Sequence, residues 1–280
     1  MKKHKKIRRN IRFIIILGIA LIILYPLFWM IGSSFKPEST IFKDLGIIPK
    51  QFTLENYNKG WYSSGMVTFT TYFKNSFTIS IFSVIGNIMT CSLAAYAFGR
   101  LEFKGKKIFF NIMLVTMMLP QHAILVPQFT YFYQLGWVNT FIPLILPKFL
   151  AADAFFIYLM TQFIRGIPRE LDEAAIMDGC NRYSLFFHII IPLCSPALVT
   201  TAIFTFMWSW NDFFTQIIYL RESLMYTVTL ALRTFVDPAS ISNYGAMFAM
   251  STISIIPILI IFVFFQKQLI EGVAMSGIKG

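Results

Sequence analysis

Acidic side chains are scarce in this sequence: 13 Asp and Glu stand against 24 Lys and Arg in 280 residues, and both signs together make up only 13%. A soluble domain carries about 25% charged residues, so an ordinary water-facing globular surface is excluded. Cysteine is also sparse. Cys91, Cys180 and Cys194 are scattered, with no CxxC spacing and no even number, which leaves neither a disulfide framework nor a thiolate metal site. His4, His122 and His188 form no HExxH set, and no GxSxG turn presents a nucleophilic serine. A phosphate loop is missing too: Gly105-Lys106-Lys107 lacks the upstream glycine and the hydroxyl residue that would hold magnesium. These absences exclude the usual catalytic chemistries. The chain reads as neither an enzyme nor a binder of ATP, metal or any other cofactor.

Apolar residues fill the space. Hydrophobic types reach 56% and Phe alone occurs 31 times, the composition of an all-α polytopic membrane protein. Runs of about 20 uncharged residues, enough to cross roughly 30 Å of hydrocarbon, predict six membrane helices: 13–31, 75–98, 108–127, 141–163, 195–220 and 244–266. The third run has no charged residue before Lys148, so its end is set by the turn signals Pro120, Pro127 and Gly136. The fourth holds Lys148 and Asp153 and decides the topology, because without it everything downstream changes sides. The first run is too long for a signal-peptide core, and no small-x-small cleavage site follows Ile31. It is read as a retained span.

The cations orient these spans. Lys2, Lys3, Lys5, Lys6, Arg8, Arg9 and Arg12 crowd the amino-terminal segment 1–12. Arg100, Lys104, Lys106 and Lys107 fill the second connection, and Arg165, Arg169 and Arg182 the segment 164–194. By the excess of Lys and Arg on the inner side, all three are cytoplasmic, as is the tail 267–280. A formal charge of +11 in so apolar a chain serves orientation against the bilayer rather than nucleic-acid binding. The loops 32–74 and 221–243 then lie outside. Phe52, Tyr57, Trp61 and Tyr62 in the former suit the headgroup level, and Arg233, Asp237 and Pro238 punctuate the latter.

One polar stretch is too small to be a domain, yet is built as a helix. Pro168 suits a first helical turn, Glu170, Asp172 and Glu173 complement the dipole there, and Gly179 supplies the stop. Leu171, Ala174, Ala175 and Asp178 fall three and four apart, so small side chains share a face that a partner surface can approach. Glu173-Ala174-Ala175, then Gly179, then Ile189-x-Ile191-Pro192, resembles the EAA loop of inner-membrane permease subunits of binding-protein-dependent ABC importers, with Ile191 where Leu is usual. Trp208-Ser209-Trp210-Asn211-Asp212-Phe213 and the tail from Gln266-Lys267-Gln268 to Gly277-Ile278-Lys279-Gly280 are similar to the maltose-type second permease of the carbohydrate-uptake branch.

That resemblance implies a type I importer permease fold in a bacterial plasma membrane. It implies a second permease chain as heterodimer partner, two ATPase subunits that carry ATP and magnesium, and an extracytoplasmic sugar-binding protein. Glu173, Ala174, Ala175, Asp178, Gly179 and Pro192 become the expected ATPase-coupling residues. The outer loop 221–243 is either a contact for the binding protein or an ordinary exposed connection.

Polar residues inside the spans have two readings. Asn211 and Asp212 either offer hydrogen bonds to a sugar, with Trp208 and Trp210 as stacking faces, or clamp one helix against another. Lys148 and Asp153, five apart, share no helix face, so Lys148 is expected to snorkel outward. A membrane-embedded enzyme would need Asp212, Asp153 and His122 to converge at one depth, which these placements do not suggest. A stand-alone channel would carry solute without nucleotide.

Overall fold

The computed structural model describes residues 2–62, 67–236 and 242–277. Asp237 and Pro238 of the second outer loop, and Ile278, Lys279 and Gly280 of the tail, lie outside the described residues. Helix dominates throughout, and no strand occurs among the described residues. In order come α1 Lys2–Ser33, α2 Glu55–Trp61, α3 Phe69–Arg100, α4 Lys106–Thr116, α5 Gln121–Gln134, α6 Ile142–Ile145, α7 Ala154–Gly166 and α8 Glu170–Met177. They are followed by α9 Arg182–Leu185, α10 Ile191–Leu193, α11 Ser195–Asn211, α12 Phe214–Tyr219, α13 Val228–Arg233 and α14 Tyr244–Gly277.

Among the described residues, four helical stretches are long and apolar enough to cross a membrane: Asn10–Ser33, Phe69–Arg100, Ile142–Gly166 and Tyr244–Gln268. Two bent pairs bring the number to six if each counts as one span: α4 with α5, at 99°, and Arg182–Leu193 with α11, at 74°. The expected third run is therefore interrupted. Helix α4 ends at Thr116, and Pro120, with extended backbone, precedes α5; proline donates no N–H and pushes the residue before it off the helix. The run 195–220 is likewise broken, because Asp212 turns extended at ψ 120° and helix resumes only at Phe214.

Two compact units are distinguished, Met1–Thr70 with Ala231–Ile256, and Thr71–Leu230 with Pro257–Gly280. In the first, the segment after α1 is fastened by buried polar groups. Lys36, 1% exposed, donates from Nζ to the carbonyls of Asp44 at 2.5 Å and Gly46 at 2.6 Å. Asn56 donates from Nδ2 to the carbonyls of Ser34 at 2.9 Å and Lys36 at 2.7 Å. Glu38 accepts the backbone N–H groups of Tyr244 and Gly245 at 2.9 and 2.6 Å, placing a carboxylate at the positive end of α14. Gly245 has to be glycine, since a Cβ there would collide with the Asn56 amide and lie 2.8 Å from Glu38 Oε2.

Two apolar clusters stand out among the described residues of the second unit. One joins Cys91, Ala95 and Tyr96 of α3 to Phe156, Met160 and Ile164 of α7, and to Ala175, Leu185, Phe186 and Ile190 of the loop beyond. The other gathers Ile79, Leu125, Phe132, Leu144, Tyr219, Leu220 and Leu230. Glycines on α3 let neighbours approach closely: a Cβ on Gly86 would lie 2.6 Å from the Phe149 ring, and one on Gly99 2.6 Å from Ile164.

Two expectations follow for the first unit. Lys36→Met removes two hydrogen bonds made by a charged donor, each worth about 1.5–3 kcal/mol, and is expected to lower the melting temperature of the detergent-solubilised protein. An unchanged melting temperature would contradict the clamp. The Asp44 carboxyl is held below the usual carboxylate range, chiefly by the Gly46 N–H, with the Lys50 N–H and the Lys36 and Lys50 charges helping and burial opposing. A depressed folded-state value contributes stability that is fully present above the unfolded carboxyl's pKa, about 3.9, and is lost as pH falls through the folded value. Hydrogen exchange at the Gly46 amide, corrected for intrinsic rate, should therefore be constant from neutrality to about pH 5 and accelerate below about pH 4.

Candidate functional site

The segment between α7 and α11 begins with the helix that the local signals anticipate. Its bounds are Glu170–Met177, with Arg169 at the cap and Pro168 just before it, so proline precedes the first turn. At the other end, Gly179 has φ +86°. Its N–H reaches the carbonyl of Ile176 at 3.0 Å, and the next N–H, of Cys180, reaches back to Ala175 at 2.9 Å. This paired closure requires a left-handed residue after the last turn, which only glycine adopts without strain. A Cβ on Gly179 would meet nothing within 4 Å, so backbone conformation, not space, demands glycine. Asn181 then caps α9 by accepting the Ser184 N–H at 2.8 Å.

Side chains from the last two turns of α3 hold this segment at three points. Arg100 Nε lies 3.0 Å from Asp172 Oδ2, with the two side chains 4% and 14% exposed. The same guanidinium donates from Nη2 to the Ile167 carbonyl at 2.8 Å. Tyr96 donates its hydroxyl to the Arg182 carbonyl at 3.2 Å. Ala175 faces inward and joins the apolar core, so the expected small-residue face is divided. Glu173, Ala174, Asp178, Gly179 and Pro192 remain exposed. Large apolar side chains accompany them: Ile176, Met177, Tyr183 and Phe187 are all at least 60% exposed, an unusual face for a helix rich in charge.

A second polar gathering sits at the helix breaks. Asp153, just before α7, accepts from Asn87 Nδ2 at 2.6 Å and from Lys148 Nζ at 2.8 Å, both on Oδ2. Asn87 also donates to Thr205 Oγ1 at 2.9 Å. The expectation that Lys148 points away from Asp153 is thus overturned. Between them the chain leaves the α-helix for a tighter turn, Leu146–Leu150, and then Ala151 is left-handed at φ +54°, so helical spacing does not govern the pair. Lys148 and His122 also lie within Coulombic reach of Asp212. Of the charged groups dispersed along the sequence, Lys148 and Asp153 therefore do meet.

The tryptophan and amide candidates part company. Trp210 is 2% exposed and enclosed by Phe77, Phe206 and Phe73, with ring centroids at 4.8, 5.4 and 5.9 Å, which leaves no free face. Trp208 is 51% exposed. Asn211 donates to the Met207 carbonyl of its own helix at 2.9 Å. Asp212 accepts the Thr215 N–H at 3.1 Å and caps α12. Sequence reasoning missed Arg100 and Tyr96 as anchors and Asn87 as the hub beside Asp153; their partners lie more than sixty residues away, beyond any local pattern.

Residues 87–274 match the family described as "Binding-protein-dependent transport system inner membrane component". The chain is 36% identical over 265 residues to the arabinooligosaccharides transport system permease protein AraQ of Halalkalibacterium halodurans, covering 94% of this chain and 93% of that one. It is 32% identical over 272 residues to the trehalose/maltose transport system permease protein MalG of Thermococcus litoralis, covering 96% and 97%. In fold it is similar to a chain of a bacterial ABC transporter involved in import of the acidic polysaccharide alginate, with TM-score 0.82 and 24% identity over 94% of this chain and 96% of that one.

Breaking the Arg100–Asp172 pair from one side strands a buried charge, at a cost of about 3–5 kcal/mol. Arg100→Met and Asp172→Leu are each expected to lower thermal stability strongly, and the double variant to recover most of the loss. Additive losses in this double-mutant cycle would show that the two charges do not hold each other.

Proposed function

Since this chain belongs to the binding-protein-dependent transport system inner membrane component family, we propose that it is one permease half of an ATP-driven importer of sugars or oligosaccharides in the bacterial plasma membrane. The names of its relatives, permeases for arabinooligosaccharides and for trehalose and maltose, support the substrate class. In this reading the chain crosses the membrane six times with both ends in the cytoplasm, each bent pair forming one span. A second permease chain completes the pathway, an extracytoplasmic binding protein delivers the sugar, and two ATPase subunits hold the ATP and magnesium. The chain itself performs no catalysis.

The observation that carries the proposal is the construction of α8. It presents an exposed apolar and acidic face while a buried ion pair ties it to α3 and hydrogen bonds from α3 hold the chain on either side of it, at Ile167 and Arg182. A helix exposed on one side and fastened on the other transmits displacement rather than absorbing it. Docked on an ATPase through Glu173, Ala174, Asp178, Gly179 and the apolar residues beside them, α8 acts as a lever. Closure of the ATPases on nucleotide displaces it, and α3 and α7 follow because they share its core. Access switches only if the ATPases bind the two positions of the lever with different affinity.

Glu173→Lys reverses a charge on the exposed face, and Gly179→Val forces a β-branched residue into a left-handed position at a cost of about 1–3 kcal/mol. Both are expected to reduce sugar uptake by proteoliposomes at least tenfold and to weaken copurification of the ATPase. Normal uptake and normal assembly in both variants would remove the lever. Its side of the membrane is checked separately with Met177→Cys in a Cys180→Ser background. Membrane-impermeant maleimide should label inside-out vesicles and spare right-side-out ones, and the opposite pattern would overturn the topology.

A further inference from the structure

Apolar stretches are interrupted between α4 and α5, between Leu150 and α7, and between α11 and α12, and polar side chains mark the latter two breaks, Lys148 with Asp153 and Asp212 with the Thr215 N–H. Interrupted helices near the middle of a bundle free polar groups for a solute to use. The pair at the centre is only partly enclosed, with Lys148 26% and Asp153 24% exposed. A clasp that served packing alone would be sealed; this one borders open space. Its hydrogen-bonding capacity is not used up. Lys148 Nζ has three N–H groups and one acceptor side chain, and Asp153 takes both of its donors on Oδ2. Among the described residues Oδ1 has no donor. A charged donor and a charged acceptor side by side suit two neighbouring hydroxyls, one accepting from the ammonium and the other donating to the carboxylate.

An aromatic face lies close by. Trp208 stands three residues on from Thr205, on the same side of α11, and Thr205 is joined through Asn87 to Asp153. The indole packs on Phe155 and Phe156 in the first turn of α7, at 5.9 and 5.1 Å between centroids, and leaves half its surface free. Asp153 balances the Lys148 ammonium, so the pair offers no net positive charge to attract an anionic sugar.

We infer that Lys148, Asp153 and Trp208 form a contact site for an uncharged saccharide in the translocation pathway, holding one sugar ring by a pair of adjacent hydroxyls and an apolar ring face. Asn87 is a positioning residue that fixes the Asp153 carboxylate. The inference rests on the sugar-import reading above and adds that this chain, not only its permease partner, touches the solute.

The test uses the complete importer in proteoliposomes with its binding protein, and radiolabelled maltose, arabinotriose and galactotriose as probes. Whichever the wild type imports is then measured in variants. Trp208→Leu and Lys148→Met are each expected to raise the apparent KM about tenfold, the loss of one charged hydrogen bond or stacking contact. The decisive variant exchanges the charges, Lys148→Asp with Asp153→Lys, which keeps an ion pair across the break but reverses what it offers the sugar. Wild-type melting temperature with a KM still raised about tenfold is the expected result. Recovery of both together would overturn the inference and leave a structural clasp. Import of digalacturonate at a rate similar to the neutral probe would overturn it as well. If the wild type imports none of the neutral probes, the import reading itself fails and takes this site with it.

Discussion

The contact on which the second unit depends is the ion pair between Arg100, at the last position of α3, and Asp172, in the first turn of α8. Two charges withdrawn from water bring a net gain only when the geometry is good and the remaining polar groups find partners. The guanidinium meets part of that condition by also holding the Ile167 carbonyl, while Asp172 Oδ1 is buried without a hydrogen-bond partner among the described residues, and Tyr96, four residues earlier, fixes Arg182 from the same face of the helix. Residues 167, 172 and 182 are thereby pinned to one end of α3, while Ala175, Leu185 and Phe186 complete the apolar packing beneath them. Close-packed interiors compress little. A push on the exposed face of α8 therefore moves α3 and α7 with it instead of denting the loop.

Rigidity at that end contrasts with the construction further along. Close to the Lys148–Asp153 pair, helices give way to a tight turn, a left-handed alanine and an extended aspartate, and the joints are held by side-chain hydrogen bonds rather than by continuous backbone ladders. Hinges in proteins are a few residues at element ends that absorb changes in φ and ψ. In the proposed cycle, the stiff block around α8 delivers the displacement and the interrupted region converts it into a change in which polar groups are free. Placing solute contacts at the joints rather than on the block makes their geometry sensitive to the lever's position, which is what coupling demands.

Local signals carried much of this into the sequence. Helix α8 was legible because everything that defines it lies within a dozen residues: proline before it, acidic residues in its first turn, and glycine where the chain must go left-handed. The apolar runs were legible because hydrocarbon imposes length without requiring any particular packing. Breaks inside those runs were not. Pro120 was visible as a turn signal, yet nothing in 195–220 announced that Asp212 would end one helix and cap the next. Lys148 and Asp153 were misread for a related reason: a rule about residues five apart presumes an unbroken helix, and the helix is broken between them. Trp208 and Trp210 look alike in sequence, but two positions along a helix separate an exposed ring from an enclosed one, and only the surrounding phenylalanines decide which is which.

The scarcity of acidic residues follows from how they are used. A carboxylate in an apolar chain is tolerated only where a cation or several N–H groups take over from water. Glu38 takes two backbone N–H groups at the start of α14, Asp44 the Gly46 amide beside Lys36, Asp153 an amide and an ammonium, Asp172 a guanidinium, and Asp212 the Thr215 N–H in the first turn of α12. Each fastens a place where the chain starts, stops or turns. The acidic residues without such duty include Glu170 and Glu173 of α8 and Asp178 at its end, all exposed. Carboxylates left unpaired on a surface that also exposes Met177 and Tyr183 make sense if another protein supplies their partners, as the proposed lever requires.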